Sequence, residues 1–106
     1  MPKVTEIHKI DQPVGDQVRA RVMVTGYTQG IGFRWFLHKK AEECGATGYV
    51  HNLEDGRMEA VFEGSREQVE TMISHARSGP EAAKVDNLQI FWEQPEGKWD
   101  ELEITY

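Results

Sequence analysis

The feature that most restricts how this chain can fold is a β-hairpin pattern that lies between two helical patterns. Apolar residues recur at helical spacing over 33–44 and again over 69–76. Between these stretches, Glu54-Asp55-Gly56 is a turn signal of the Asp-Gly kind, flanked by residues that alternate between apolar and polar. Similar alternation precedes the first helical pattern and follows the second, so that strands are predicted at 18–25, 46–53, 57–63 and 84–92.

The order of these elements, β-α-β-β-α-β, is the split βαβ pattern of an α+β protein. It predicts a ferredoxin-like α/β sandwich in which two helices cover one face of an antiparallel sheet. A short C-terminal strand is predicted within 100–106. Residues 1–17 are interpreted as an N-terminal extension or an edge segment, which precedes a single domain over 18–106. Ser65 and Gln68 form a capping-box pattern where the second helix is expected to begin.

Composition argues against a membrane or secreted protein. No apolar run approaches the length of a membrane span, and the N-terminal residues lack the apolar core of a signal peptide. Cys44 is the only cysteine, so no disulfide can form within the chain. A reducing, cytoplasmic location is therefore expected.

The charge is unevenly distributed along the chain. The formal net charge is −6, which argues against nonspecific binding of nucleic acid. Residues 17–41 nevertheless contain no acidic residue and carry five basic ones, Arg19, Arg21, Arg34, Lys39 and Lys40. A basic segment around a glycine-rich loop suits a small anion better than a polyanion, and chance clustering of solvated charges is the alternative. The expected protein is a monomer that binds neither nucleic acid nor a membrane.

A glycine-rich loop over 26–34 is the main candidate for a binding site. Gly26, Gly30 and Gly32 allow backbone N–H groups to turn toward a common point, and the helix that follows adds unpaired N–H groups and a positive dipole end. Arg34 supplies a charge whose fork geometry suits phosphate oxygens, at a helix start where the dipole disfavours a cation. The spacing matches neither a Walker A motif nor the dinucleotide fingerprint. The alternative is a tight strand-to-helix connection with no ligand.

The other polar residues give weaker signals. Asn52 lies near the end of a predicted strand, where asparagine is depleted, although the residues alone favour a turn residue that bonds its own backbone. The histidines are scattered over four elements and do not suggest a metal cluster. Cys44 lies on the apolar face of the first helix and is interpreted as an inert packing residue.

Together, the loop and the stretch around Asn52 resemble the two signatures of the acylphosphatase family. The first signature runs Gly-x-Val-Gln-Gly-Val-x-Phe-Arg, and this chain has Gly26-Tyr27-Thr28-Gln29-Gly30-Ile31-Gly32-Phe33-Arg34. The second has an aromatic residue after glycine, then an asparagine and a turn glycine, which here are Gly48-Tyr49, Asn52 and Gly56, closed by Glu63-Gly64. The resemblance covers 17–106, and two matched signatures are more specific than either alone.

The resemblance implies the same fold and a small hydrolase that converts an acyl phosphate and water to a carboxylate and orthophosphate, with neither metal nor cofactor. Arg34 would bind the phosphoryl oxygens, and Asn52 would position the attacking water. The backbone N–H groups that would hold the phosphoryl group belong to Tyr27, Thr28, Gln29, Gly30, Ile31 and Gly32. The implied partners are an acyl phosphate as substrate and orthophosphate as product and inhibitor.

Three positions depart from the family pattern. Thr28 and Met58 stand where the signatures have valine, and His51 stands where a basic or small residue is common. His51 would alter the pH dependence if it lay near the site. The acidic residues Glu54 and Asp55 would weaken anion binding if they faced inward.

Two other functions stay open on the sequence alone. A binding module of the same fold would sense a phosphate or an acyl phosphate without turning it over. A domain that binds nucleic acid or a protein partner would use a basic sheet face with exposed aromatic residues. Retention of both Arg34 and Asn52 argues against the first, and the net charge of −6 argues against the second.

Overall fold

The computed structural model describes residues 2–8 and 16–106, which form six strands and two helices. The strands are β1 Lys3–His8, β2 Gln17–Tyr27, β3 Thr47–Asn52, β4 Met58–Ser65, β5 Lys84–Glu93 and β6 Leu102–Ile104. The helices are α1 Phe33–Cys44 and α2 Arg66–Ser78. Every strand and helix predicted over 18–106 is present, with the hairpin between β3 and β4.

All six strands belong to one sheet in the order β1-β5-β2-β4-β3-β6. The four inner strands pair antiparallel, which confirms the ferredoxin-like topology. The sheet as a whole is mixed and not antiparallel as predicted, because β1 pairs parallel with β5 and β6 pairs parallel with β3. The connection 94–101 reverses the chain after β5, and β3 already runs opposite to β5. A strand added beside β3 must therefore run parallel to it.

β1 gives residues 3–8 a place at the edge of the sheet. Val4 lies beside Leu88 and Glu6 beside Ile90, so these residues extend the sheet by one strand. The sequence left this segment open as an extension or an edge segment, and its edge position depends on pairing that no local pattern encodes. The division of the chain at residue 18 stays a prediction, and residues 9–15 lie outside the described part.

The hydrophobic core lies between the sheet and the two helices. Alternate residues of β2, Val18, Ala20, Val22 and Val24, face the helices and are at most 4% exposed. The predicted apolar faces of the helices bury Phe33, Leu37 and Ala41 of α1, and Val69, Met72, Ile73 and Ala76 of α2. Phe36 and Cys44 pack against the rim of this core and stay partly exposed.

Capping interactions set the start of α2, as its capping-box pattern predicts, and the end of α1. Ser65 Oγ accepts from the Gln68 backbone N–H, and the Gln68 side chain accepts from the Ser65 N–H, which completes the capping box of α2. Gly45, at φ 87°, ends α1 by donating its N–H to the Ala41 carbonyl. These caps fix where α2 begins and where α1 ends.

Charged side chains and the connection 94–101 cover the centre of the opposite sheet face. Arg19 is 8% exposed, and its guanidinium donates to Glu63 at 2.9 Å and to Glu93 at 3.0 Å. Burial lowers the pKa of Arg19, but its hydrogen bonds and ion pairs with these carboxylates outweigh burial and raise it. The Glu63 carboxylate also accepts from the backbone N–H groups of Glu96 and Gly97, at 2.8 and 2.9 Å. This network holds the connection that leads to β6 against the sheet.

Candidate active site

The backbone of the glycine-rich loop takes conformations that favour glycine. Gly30 and Gly32 have φ of 75° and 79°, and a Cβ atom at either position would meet no atom within 4 Å. Glycine is therefore favoured here by the backbone conformation and not by a lack of space. Gly32 is the N-cap of α1 and makes no side-chain cap hydrogen bond. The first turn of α1 has no acidic residue, so the only charged side chain there is that of Arg34. The helix start is therefore suited electrostatically to an anion.

Arg34 is held by the residues that follow β6. Its Nη1 donates to the Thr105 carbonyl at 3.0 Å, and its Cζ lies 4.7 Å from the centroid of the Tyr106 ring. No hydrogen bond from its Nε or Nη2 to the described residues is present. One end of the guanidinium is thus fixed, and two donor nitrogens, Nε and Nη2, stay available for a ligand.

The pairing of β6 with β3 brings Thr105 and Tyr106, which hold Arg34, next to the strand that ends at Asn52. Ile104 lies beside Val50, and the Thr105 N–H donates to the Val50 carbonyl at 2.9 Å. Asn52 is two residues beyond Val50 on the same face of β3. Arg34 and Asn52 are therefore at the same end of the sheet.

Gln29 attaches the loop to the β3–β4 hairpin. Its Nε2 donates to the Leu53 carbonyl at 2.9 Å and to the Arg57 carbonyl at 3.1 Å. These two carbonyls flank the hairpin turn, where the Leu53 N–H donates back to Arg57. The loop is therefore tied to the residue that directly follows Asn52.

Asn52 is the last residue of β3, and its side-chain oxygen is buried. Within residues 2–8 and 16–106, Oδ1 has no hydrogen-bond partner, so its side chain does not bond the turn backbone as the simpler interpretation proposed. Thr28 Oγ1, in the loop, is buried and unpartnered in the same way. Buried polar atoms without a partner are uncommon, and these two lie in the two signature segments.

The charged residues beside the hairpin turn do not oppose an anion in this site. Asp55 is exposed and pairs with Arg57 at 2.8 Å. Hydrogen bonds from the Arg57 side chain and backbone lower the pKa of Asp55, and the pKa of Arg57 is raised by the Asp55 hydrogen bond. His51 lies on the opposite sheet face from Asn52, with Nε2 2.7 Å from Glu59 Oε1, which separates it from the site.

The basic segment predicted to surround the loop is dispersed by the fold. Arg19 and Arg21 extend from the sheet face opposite the helices, where both pair with Glu93. Of the loop residues, Tyr27 is 61% exposed, whereas Ile31 packs against the core. Sequence reasoning missed the contacts of the Thr105 carbonyl and the Tyr106 ring with Arg34, because a sequence does not show what a backbone acceptor or a single aromatic ring contacts.

The part of the chain that the structure describes shows no cluster of side chains for metal binding. There, no three His, Cys, Asp or Glu residues are placed to hold a metal ion. The thiol of Cys44 is free and lies partly buried at the edge of the core. Neither described helix is long and apolar enough to span a membrane.

Comparison with known proteins identifies the relatives of this fold. A family model described as acylphosphatase matches residues 20–104. An acylphosphatase of Chloroflexus aurantiacus is 47% identical over 83 residues, which is 78% of this chain and 90% of the relative. The crystal structure of acylphosphatase from Bacillus subtilis has a TM-score of 0.79 at 27% identity, covering 84% of this chain and 99% of that one. The structure of an acylphosphatase from Coxiella burnetii has a TM-score of 0.76 at 31% identity, covering 91% and 100%.

The fold and these matches define a small hydrolase built as a ferredoxin-like α/β sandwich. The chain belongs to the acylphosphatase family. Its activity is the hydrolysis of acyl phosphates, which confirms the function predicted from the two signatures.

Proposed function

We propose that the chain hydrolyses acyl phosphates without a metal ion, by in-line attack of a water molecule on phosphorus. The observation that carries this proposal is the buried, unpartnered Oδ1 of Asn52, at the end of a strand tied both to the loop and to the Arg34 anchor. An amide oxygen in this position suits a water molecule that donates a hydrogen bond to it.

The chemistry of the substrate explains why so few groups are needed. An acyl phosphate is a mixed anhydride, and its leaving group is a carboxylate that departs without taking up a proton. A general acid is therefore dispensable, and the protein has to hold the phosphoryl group, spread its charge and aim the water. Hydrogen-bond donors fixed in advance perform these tasks at little reorganisation cost.

We assign the phosphoryl group to the loop and to Arg34. The backbone N–H groups of Tyr27, Thr28, Gln29, Gly30, Ile31 and Gly32 form the phosphate-binding loop of this proposal. The two uncommitted donors of Arg34 suit bidentate contact with phosphoryl oxygens, because Nη1 is already fixed to the Thr105 carbonyl. Product orthophosphate would occupy the same donors and inhibit competitively.

Asn52 is assigned to the water rather than to the phosphoryl group. A primary amide is too weak a base to remove a proton, so its contribution is to orient the nucleophile. The protein acts in this proposal as a monomer in the cytoplasm, a location supported by its single cysteine.

Hydrolysis of benzoyl phosphate tests the proposal. Release of orthophosphate is measured for the wild type with and without EDTA, and for Arg34→Ala. We expect equal wild-type rates in both buffers and a loss of at least 100-fold in Arg34→Ala, because the charge that binds and stabilises the phosphoryl group is gone. A wild-type rate that EDTA abolishes and Mg²⁺ restores would overturn metal independence, and an active Arg34→Ala would overturn the assignment of the loop.

A further inference from the structure

Thr28 carries a buried hydroxyl that the assignments above do not use. The residue is 2% exposed, and its Oγ1 has no hydrogen-bond partner among the described residues. Burying a hydroxyl without a partner destabilises a fold. Valine has the same shape, avoids this cost and is the residue of the signature that the loop resembles. A hydroxyl kept here in spite of that cost points to a ligand.

Thr28 and Asn52 lie at the same corner of the sheet. In the sheet register, Val24 of β2 lies beside Met58 of β4, and Met58 lies beside Asn52 of β3. The chain leaves β2 at this end and reaches Thr28, so the loop begins where Asn52 ends its strand.

A hydrogen bond also joins the chain neighbours of these two residues. Gln29, next to Thr28, donates from Nε2 to the carbonyl of Leu53, next to Asn52, at 2.9 Å. The two unpartnered oxygens are thus on residues adjacent to one fixed contact, and both oxygens are buried.

We infer that Thr28 Oγ1 is a second acceptor for the attacking water and works together with Asn52 Oδ1. This inference rests on the proposed function and adds one residue to it. Two acceptors fix both O–H bonds of the water molecule and leave its lone pairs directed away from them, toward phosphorus. One acceptor alone would leave the water free to rotate about a single hydrogen bond.

The reaction balances without a base from the protein. The bond between the water oxygen and phosphorus forms as the bond between phosphorus and the carboxylate oxygen breaks. Both water protons end on the phosphate product, so an acyl phosphate dianion and water give a carboxylate and dihydrogen phosphate. Thr28 keeps its own proton throughout, since it accepts hydrogen bonds and transfers nothing.

Both oxygens are covered in the structure, so water can reach them only if the loop opens. Gly30 and Gly32 lie two and four residues after Thr28 and have open space where a side chain would be. Glycine permits larger changes in φ and ψ than any other residue, which gives the loop a way to move without strain. Catalytic hydrogen bonds commonly tighten only once the substrate is bound.

The test compares Thr28→Val, Thr28→Ser and the control Thr25→Val with the wild type. Benzoyl phosphate turnover, the orthophosphate inhibition constant and the melting temperature are measured for each. We expect Thr28→Val to lower kcat by about three- to tenfold, the worth of one hydrogen bond. Its inhibition constant should stay unchanged, and its melting temperature should equal or exceed that of the wild type. Thr28→Ser should recover most of the rate, and Thr25→Val, on the opposite sheet face, should leave it unchanged.

The double variant Thr28→Val/Asn52→Ala separates this inference from the proposed function. If both residues hold one water, Thr28→Val should cost little in a protein that already lacks the Asn52 amide. An unchanged kcat in Thr28→Val alone would overturn the inference and leave the proposed function standing. Equal losses in both backgrounds, or a weaker orthophosphate inhibition, would make Thr28 a residue that only shapes the loop. Full activity of Asn52→Ala alone would overturn the proposed function itself.

Discussion

At the scale of single residues, Arg34 shows how the fold restricts a long side chain that we propose as the ligand of the phosphoryl group. Arginine loses much rotamer freedom when it is fixed, and the Thr105 carbonyl and Tyr106 ring bring about that restriction before any ligand arrives. The remaining donors keep the planar fork that phosphate oxygens match. The site is thus preorganised at the residue with the highest intrinsic flexibility.

Arg34→Lys tests whether the fork geometry matters beyond the charge. A lysine ammonium is a compact charge that cannot hold the Thr105 carbonyl and make a bidentate contact at once. We expect the KM for benzoyl phosphate and the inhibition constant of orthophosphate to rise by about tenfold or more, measured by steady-state kinetics. An unchanged inhibition constant would show that only the charge is used.

Gln29→Met tests the attachment of the loop to the hairpin. The substitution keeps the length of the side chain and removes the donor shared by the Leu53 and Arg57 carbonyls. We expect the free energy of unfolding to fall by about 1–3 kcal/mol, because two carbonyls lose a donor. The value of kcat/KM should also fall as the loop loses its fixed position. Unfolding in urea and the benzoyl phosphate assay measure the two effects, and a variant with both values intact would contradict this role.

At the scale of elements, the candidate site is formed where a loop, a hairpin and an edge strand meet. The glycine-rich loop joins β2 to α1, Gln29 ties it to the hairpin, and β6 supplies the carbonyl that fixes Arg34. α1 contacts β6 a second time, through His38 Nδ1, which lies 2.7 Å from the Leu102 carbonyl. The three-residue strand β6 therefore contributes more to the site than its length suggests.

Gly48→Ala tests the close approach of β3 to β4. This approach determines the position of Asn52 at the end of β3. Gly48 has φ of 132°, and a Cβ atom there would overlap the Val61 carbonyl oxygen. We expect a loss of at least about 2 kcal/mol of stability, from backbone strain and displacement of the neighbouring strand. Gly56→Ala is the matched control, since Gly56 also has a positive φ but open space around it, and should cost about 1 kcal/mol. Equal costs in urea unfolding would show that the strand contact is not the cause.

Local sequence patterns encode most of the strands and helices, whereas they do not encode the position of an edge strand. The alternation of Val18 to Val24, the Asp-Gly turn and the capping box each specify their structure within a few residues, and each is confirmed. β1 has no such signal, because Val4 and Glu6 face one side without a shared polarity. Its place depends on pairing with β5, more than eighty residues away along the chain.

At the scale of the whole molecule, the two faces of the sheet have separate tasks. The helix-covered face holds the core and, at one end, the site. The opposite face carries the network of Arg19, Arg21, Glu63 and Glu93, which fixes the connection to β6. Charge counted along the chain had assigned both arginines to the loop. A charge count along the chain overlooks that alternate residues of a strand face opposite sides of the sheet.

Because of this network, the free energy of unfolding depends on pH under acidic conditions. Burial raises the pKa of Glu93, but hydrogen bonds from Arg19 and Arg21 outweigh burial and lower it. A carboxylate with a lowered pKa in the folded state stabilises the protein above its ordinary pKa of 4.5, and this contribution is lost as the pH falls through the lowered value.

Glu93→Gln measures that contribution directly. We expect it to be less stable than the wild type at pH 7 by about 1–3 kcal/mol, because two arginines lose a charged partner. The difference should shrink as the pH falls from 4.5 through the lowered pKa of Glu93, where the carboxylate of the folded wild type becomes protonated. Urea unfolding at pH 7, 5, 4 and 3 follows it, and a difference that stays constant over this range would contradict the linkage.

In the candidate site, too, some features can be predicted from local sequence and others depend on the fold. Arg34 and Asn52 were identifiable from the sequence because each belongs to a contiguous signature. Their mutual approach was not identifiable, since it depends on the order of β2, β4, β3 and β6 across the sheet. The unpartnered hydroxyl of Thr28 became visible only once its surroundings were known, because a threonine in a loop is usually solvated.

The central claim is that one residue binds the phosphoryl group and another positions the water. Asn52→Ala tests it most directly when kcat for benzoyl phosphate and the inhibition constant of orthophosphate are measured in the same assay. We predict that kcat falls by about 100-fold or more while the inhibition constant stays within about threefold of the wild type. An inhibition constant that rises as steeply as kcat falls would show that Asn52 binds phosphate, and the division of roles would be wrong.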